Sequence, residues 1–162
     1  MIQTLDPEVS VDRPFSFRLQ FPDQWYDLHN PDQTPKPMTM RFATTRGDFV
    51  PNIENLRVRQ LVLYFAPATA KPVEVRDVRL LFTRQGDDTP AGGSADSIDG
   101  IISTRRPNGA NWVTITGTKP PIGEWELSLP NDDTTKSFFK NEDIQDILFV
   151  ITYSGRTPEW PS

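Results

Sequence analysis

Alternation of apolar and polar side chains is the main pattern along this chain. In residues 15–21 every second residue is apolar, from Phe15 to Phe21. A period of two residues is typical of a β-strand with one buried face. The same pattern, together with short apolar runs, predicts eight strands, at residues 15–21, 38–44, 56–65, 73–82, 101–103, 112–115, 125–129 and 147–153.

Two of the predicted strands depart from simple alternation. Residues 56–65 alternate at first, but their second half, from Leu61 to Phe65, is apolar on both faces. We therefore expect this strand to run from a solvated edge into a part of the sheet that is covered on both sides. In residues 73–82 the alternation slips by one position near Arg76 and Asp77, which predicts a β-bulge.

Sixteen prolines fall mostly between these segments. Proline lacks an amide proton and costs about 3 kcal/mol inside a helix, so it favours strand ends and turns and opposes a helical bundle. Only short helical turns are expected, one capped by Asp23 over residues 24–28 and one beginning at residues 141–143. Residues 85–100 predict the longest loop, and the Asn-Gly pair at 108–109 predicts a hairpin turn.

These elements together predict an all-β fold. We expect a two-layer antiparallel β-sandwich, jelly-roll-like, of about eight strands with one or two short helical turns. The length fits a single β-sandwich domain over residues 1–162, with loosely held ends at residues 1–12 and 154–162.

Composition argues against several classes of function. The chain has no cysteine, so it has no disulfide framework, thiolate nucleophile or thiolate metal ligand. No apolar run approaches the roughly 20 residues that span a bilayer, and the first residues lack the basic and apolar regions of a signal peptide. The formal net charge of −5 argues against binding to nucleic acid, because that binding needs a cationic surface to displace counterions.

Residue types that carry catalysis or bind metals are sparse. The single histidine, His29, has no Gly-x-Ser-x-Gly nucleophile motif to serve, and one histidine does not make a zinc site. Four aspartates in the 85–100 loop have the oxygen chemistry that calcium prefers, but they lack the order of an EF-hand and equally suit a solvated loop. We therefore predict no catalytic residue, no metal and no cofactor, and a binding protein in place of an enzyme.

Aromatic side chains are the strongest candidates for binding. An exposed flat ring beside polar groups can stack on a sugar, whereas the same ring in a strand packs into the core. The sequence leaves both alternatives open for its tryptophans. The candidate binding residues are Trp25, Tyr26, His29, Trp112 and Trp160.

Basic side chains share one face of the longest predicted strand. Arg57 and Arg59 lie two residues apart, and Arg76 and Arg79 belong to the next predicted strand. If these strands are neighbours, the four arginines form a basic stripe that suits an acidic partner. The alternative is a solvated sheet face whose arginines pair with nearby carboxylates.

Several segments resemble one toxin family. Residues 123–131, GEWELSLPN, predict a strand that ends in Pro-Asn, and residues 143–153, DIQDILFVITY, predict a short turn and an apolar strand ending in Thr-Tyr. Both segments resemble the end of the A component of the Tc (toxin complex) insecticidal toxins. Residues 24–28 and 50–56 are similar to C-terminal segments of larger Tc-like toxin proteins described as neuraminidase-like.

The resemblance implies a non-enzymatic interaction module. In that family this domain is a β-sandwich-like element at the end of the A component that docks the B component, in a pentameric assembly. It therefore implies a B-component-like protein partner or self-association, within a secreted toxin complex. The chain departs from the family because it lacks the large helical shell, the pore-forming helices and the linker. The alternative function is a carbohydrate-binding module that recognises a glycan through exposed Trp and Tyr residues.

Overall fold

The computed structural model describes residues 8–28, 38–117, 120–130 and 132–156. Within these residues, eight strands form two four-stranded antiparallel sheets. The strands are β1 (Glu8–Ser16), β2 (Met38–Thr44), β3 (Glu54–Pro67), β4 (Val78–Arg84), β5 (Ala91–Ala95), β6 (Ile101–Ser103), β7 (Gly123–Leu129) and β8 (Ile144–Arg156). Sheet I has the order β1-β8-β3-β6, and sheet II has the order β2-β7-β4-β5.

This order is that of a jelly roll. The first four strands pair with the last four in reverse sequence: β1 with β8, β2 with β7, β3 with β6 and β4 with β5. Such a strip of antiparallel pairs, folded over on itself, gives two packed sheets with a common core. The predicted all-β, two-layer antiparallel sandwich is therefore confirmed.

Short helices close the edges of the sandwich. Helix α1 (Phe17–Gln20) contacts β8 and α2 (Pro22–Leu28) contacts β2, on the side of the two edge strands β1 and β2. A long 3-10 helix, Pro107–Ile115, contacts β5 and β6 on the opposite side. Two further helices are α3 (Asp133–Lys140) and a 3-10 turn at Arg46–Asp48. None of the helices in the described ranges has the length and apolar character needed to cross a membrane.

The core between the sheets is rich in aromatic rings. Trp125 is 1% exposed, and its ring centroid lies 4.1 Å from that of Phe82 and 5.1 Å from that of Phe149 on the other sheet. The Trp125 indole N–H donates to Thr44 Oγ1 at 3.0 Å, and the Thr44 hydroxyl donates to the Pro121 carbonyl at 2.5 Å. Because these buried polar groups are paired, the indole is buried without the cost of an unmade hydrogen bond.

The predicted strand at residues 15–21 is wrong in its bounds. β1 ends at Ser16, whose Oγ accepts a hydrogen bond from the Leu19 amide at 3.2 Å and so caps α1. Leu19, expected to face inward, is 78% exposed. A local cap therefore overrides the alternating pattern, because a serine hydroxyl satisfies an otherwise unpaired helical amide.

The predicted strand at residues 112–115 and the hairpin turn at 108–109 are also wrong, because both segments lie in the long 3-10 helix. The eighth strand is instead β5, inside the predicted loop 85–100. The sequence did not predict β5 because it contains Gly92 and Gly93, and glycine is depleted in strands.

Three further boundaries differ from the predictions. The helix predicted over residues 24–28 begins at Pro22, so Asp23 lies in its first turn and is not its cap. In residues 73–82 the strand begins only at Val78, because Asp77 has a φ of 55° and donates its amide to Asp96 Oδ1 at 2.9 Å. The chain bends at this point, where a bulge was predicted. The helical turn predicted to begin at residues 141–143 is also displaced. The helix in this region is α3, which is capped by Asp132, whose carboxylate accepts from the Thr135 amide at 2.7 Å.

The expected loose ends stay a prediction. Residues 1–7 and 157–162 lie outside the described part of the chain. Within the expected ends, residues 8–12 belong to β1 and residues 154–156 belong to β8, and Glu8 and Arg156 are Cα partners.

Candidate docking surface

Sheet I carries a patch of apolar side chains on its outer side. Two adjacent rows of Cα partners cross the sheet there, one through Pro14, Val150 and Val62 and the next through Leu148, Tyr64 and Ile101. Pro14 is exposed and the other five side chains are half-buried. We call these six residues the apolar face.

The apolar face arises because β3 and β8 are apolar on both sides. In β3 the inward residues Leu61 and Leu63 are fully buried, and Val62 between them points outward. Continuous apolar runs are typical of strands covered on both faces. The structure differs from that expectation, since the outward side chains of β3 and β8 stay partly open to solvent.

Polar hydrogen bonds border the apolar face along the strand direction. On one side the Thr152 hydroxyl donates to Asp12 Oδ1 at 2.7 Å. On the other side the Ser16 hydroxyl donates to Asp146 Oδ2 at 2.5 Å. An apolar centre with a polar rim is the usual composition of a protein interface.

The outer face of sheet II is polar by comparison. Arg41 and Glu126 form an ion pair at 3.0 Å, and the Thr39 and Ser128 hydroxyls lie 3.1 Å apart. A shallow trough of about 430 Å³ crosses this face, lined by Gln24, Arg41, Phe42, Ala43, Leu81, Thr83, Pro90, Glu124, Trp125 and Glu126. The Arg41 side chain is 79% exposed, and such exposed pairs contribute little free energy, so this surface is typical of a solvated sheet face.

Arginines gather at one end of the apolar face. Arg57 is the Cα partner of Ser154, and Arg59 Nε donates to Ser154 Oγ at 2.7 Å. The Thr104 amide donates to the Leu61 carbonyl at 3.1 Å, so the chain leaving β6 runs beside this part of β3. Arg105 and Arg106 follow Thr104 directly. We call the four exposed arginines at this end of β3 and after β6 the arginine flank: Arg57, Arg59, Arg105 and Arg106.

The predicted basic stripe is correct only for its first pair. Arg57 and Arg59 share the outer side of sheet I, but β4 belongs to sheet II, where Arg79 partners Ser128 and Ser94. Arg76 precedes β4, outside either sheet. Arg105 and Arg106 follow β6, and only the pairing of β6 with β3 brings them to this end of sheet I, so the sequence pattern could not place them there.

The candidate aromatic residues that the structure describes do not form one site. Trp112 is fully buried, and its indole N–H donates to the Gly93 carbonyl at 2.9 Å. Trp25 is half-buried, with its ring centroid 5.7 Å from that of Phe139, and its neighbour Tyr26 is 60% exposed. Both lie on α2, which contacts the edge of sheet II away from the apolar face.

Two candidate residues, His29 and Trp160, lie outside the described part of the chain. Over the residues that are described, no three His, Cys, Asp or Glu side chains are grouped so that they could hold a metal ion. Two of the loop aspartates have protein partners: Asp87 pairs with Arg84 at 2.7 Å, and Asp96 accepts the Asp77 amide.

The strand order and the two packed sheets define the chain as a jelly-roll β-sandwich. The same fold occurs in two structures of Tc toxin components. Yersinia pseudotuberculosis TcaA-TcaB matches 93% of this chain with a TM-score of 0.60 and 15% identity. Morganella morganii TcdA4 matches 92% of it with a TM-score of 0.54 and 17% identity.

This likeness concerns one region of much longer proteins. The chain covers 10% of the TcaA-TcaB chain and 7% of the TcdA4 chain. No family model matches the sequence, and no curated protein matches it.

Proposed function

We propose that this chain is a non-enzymatic interaction domain of a toxin-complex protein, which docks the B component of the complex through the apolar face. The observation that carries the proposal is the contrast between the two outer faces. Sheet I presents six apolar side chains in two adjacent rows, whereas sheet II presents an ion pair and paired hydroxyls. The fold likeness to two Tc toxin components supports the choice of partner.

The apolar face has the chemistry of an interface centre. Fully burying an aliphatic side chain contributes about 1.5–3 kcal/mol, so a half-buried one can still gain about 1 kcal/mol when a partner covers it. Tyr64 adds an aromatic ring with a hydroxyl, a residue type that often carries much of the binding energy. The rigid pairing of β3 with β8 holds these side chains in place before binding, which lowers the entropy cost of association.

Replacing Val62 by lysine tests the proposal. The cation would stand at the centre of the apolar face, and burying it against a partner costs several kcal/mol. We expect this variant to lose binding to the toxin B component from the same organism by at least about 30-fold. The measurement is size-exclusion chromatography with multi-angle light scattering, followed by isothermal titration calorimetry.

Leu81→Lys is the matched control. Leu81 is also an aliphatic, half-buried residue that points outward from an inner strand, but in sheet II. It should bind the B component as the wild type does. Equal losses in the two variants, or a wild-type chain that forms no complex, would contradict docking through the apolar face.

The glycan-binding alternative is tested on the same protein. Among the described candidates it depends on Trp25 and Tyr26, consecutive residues of α2, because Trp112 is buried. A glycan array with the wild type and Trp25→Ala separates the two functions. Robust glycan binding that Trp25→Ala abolishes would overturn the view that docking is the function of this domain.

A further inference from the structure

We infer that the surface docked by the apolar face is acidic around an apolar centre, with its carboxylates meeting the arginine flank. The inference rests on the proposed function and adds the chemistry of the partner. It starts from a contrast of charge. The whole chain has a net charge of −5, yet one end of sheet I carries a local excess of arginine.

The charge balance at that end is positive. Five arginines are found there, namely the four of the arginine flank and Arg156, the Cα partner of Glu54. Among the described side chains, two carboxylates lie on the outer side of β1 and β3 towards this end: Asp12, which accepts from the Thr152 hydroxyl, and Glu54. Among the described side chains, arginines therefore outnumber carboxylates at this end, whereas the chain as a whole is acidic.

Three of the arginines have unused capacity for a carboxylate. Arg57, Arg105 and Arg106 are exposed, and in the described ranges none of them makes an ion pair. A guanidinium offers five N–H donors in a planar fork that matches a carboxylate. Arg59 already donates to Ser154 Oγ, so it is held against the sheet at the border between the flank and the apolar face.

The position of the arginine flank beside the apolar face indicates a role in the rate of association with the partner. Charges at the rim of an interface mainly steer the encounter and raise the association rate, whereas the apolar centre sets the lifetime of the complex. The flank lies at the end of the same strands that carry the apolar face, so a single partner surface can contact both. A partner with carboxylates at one end of an apolar patch fits this layout.

Nucleic acid is the other polyanion that arginines contact. It does not fit this surface, because an apolar patch beside the arginines offers nothing to a phosphate backbone and the acidic chain repels it. The inference therefore commits to a protein partner.

The test compares association rates at different salt concentrations. The triple variant Arg57→Gln, Arg105→Gln, Arg106→Gln removes the three flank charges that make no ion pair within the described ranges. Arg79→Gln removes an exposed arginine from sheet II and is the control. Binding to the B component is followed by stopped-flow fluorescence from about 25 mM to about 500 mM NaCl, a range over which screening becomes nearly complete.

We expect the wild-type association rate to fall about tenfold or more over this range. The triple variant should associate about tenfold more slowly at low salt, with a flattened salt dependence and a dissociation rate within about twofold of wild type. Arg79→Gln should behave as the wild type.

The outcomes separate the inference from the proposed function. A complex that Val62→Lys abolishes, but that forms at the same rate in all salts and in the triple variant, overturns the acidic partner and leaves the docking function standing. Equal slowing by Arg79→Gln also overturns it, because a general charge effect would then explain the rates. Failure of the wild type to form any complex overturns both, and so does tight binding to a DNA or RNA duplex in place of the protein.

Discussion

Trp112→Ala is expected to lower the free energy of unfolding by about 3–5 kcal/mol, the range seen when a buried aromatic residue is cut back to alanine. Trp112 is fully buried in the long 3-10 helix that closes the sandwich between β5 and β6. Its removal leaves a cavity and also leaves the Gly93 carbonyl without its indole donor. We expect the melting temperature to drop by roughly 6–20 °C.

Urea unfolding followed by circular dichroism measures this effect. Trp112→Phe keeps an aromatic ring but loses the N–H, so it should cost only about 1–3 kcal/mol. Val113→Ala is the control, because Val113 is the next residue of the same helix and is 46% exposed. The burial of Trp112 would be contradicted if Trp112→Ala were as stable as Val113→Ala but no longer bound a ligand that the wild type binds. Trp112 would then be a surface binding residue.

Gly109→Ala is expected to lower the free energy of unfolding by about 3 kcal/mol, the upper end of the usual cost of overpacking. A Cβ at this position would lie 2.0 Å from the Ser103 carbonyl oxygen and 2.4 Å from its carbon. Both are backbone atoms of β6, so no change of side-chain rotamer relieves the clash. Either the 3-10 helix or the end of β6 has to move.

Thermal unfolding of Gly109→Ala and Gly47→Ala measures the difference. Gly47 serves as the control, since an added Cβ there meets only the Thr45 side chain at 3.7 Å. Hydrogen exchange should show faster opening in β6, where Ile101 pairs with Tyr64 of the apolar face. Equal stability of the two variants would contradict the tight contact between Gly109 and Ser103.

Strands with one buried face could be predicted well from the sequence. The predicted strand 38–44 coincides with β2, and the predicted strand 125–129 lies within β7. In both, a period of two residues reports directly which side faces the core. Several such strands separated by turns are typical of a jelly roll, so the fold class could be predicted from the sequence.

Elements that depend on distant partners could not be predicted. The long 3-10 helix is held by hydrogen bonds from Asn111 to the Ser94 carbonyl and from Trp112 to the Gly93 carbonyl, which come from a strand hidden by its glycines. A local pattern contains no information about such contacts, because they are set by the packing of the finished sandwich.

Only one part of the candidate site, the apolar run of β3, could be recognised in the sequence. The two-sided apolar run through Val62 and Tyr64 marked β3 as unusual, and the structure shows its outer side at the surface. The apolar face itself depends on the register that sets Val150 beside Val62 and Leu148 beside Tyr64. These partners are more than 80 positions apart in the chain, so only the folded sheet brings them together.

The pairing of β1 with β8 has a mechanical consequence. Glu8 and Arg156 are partners at the same end of this ladder, so the described polypeptide begins and ends at that point. Tension between residues 8 and 156 would load the ladder one residue pair at a time, as a zipper opens, and would not shear all its hydrogen bonds at once. Under load, the sandwich would thus give way first by peeling β1 from the edge of sheet I, which would remove Pro14 from the apolar face before β3 and β8 separate.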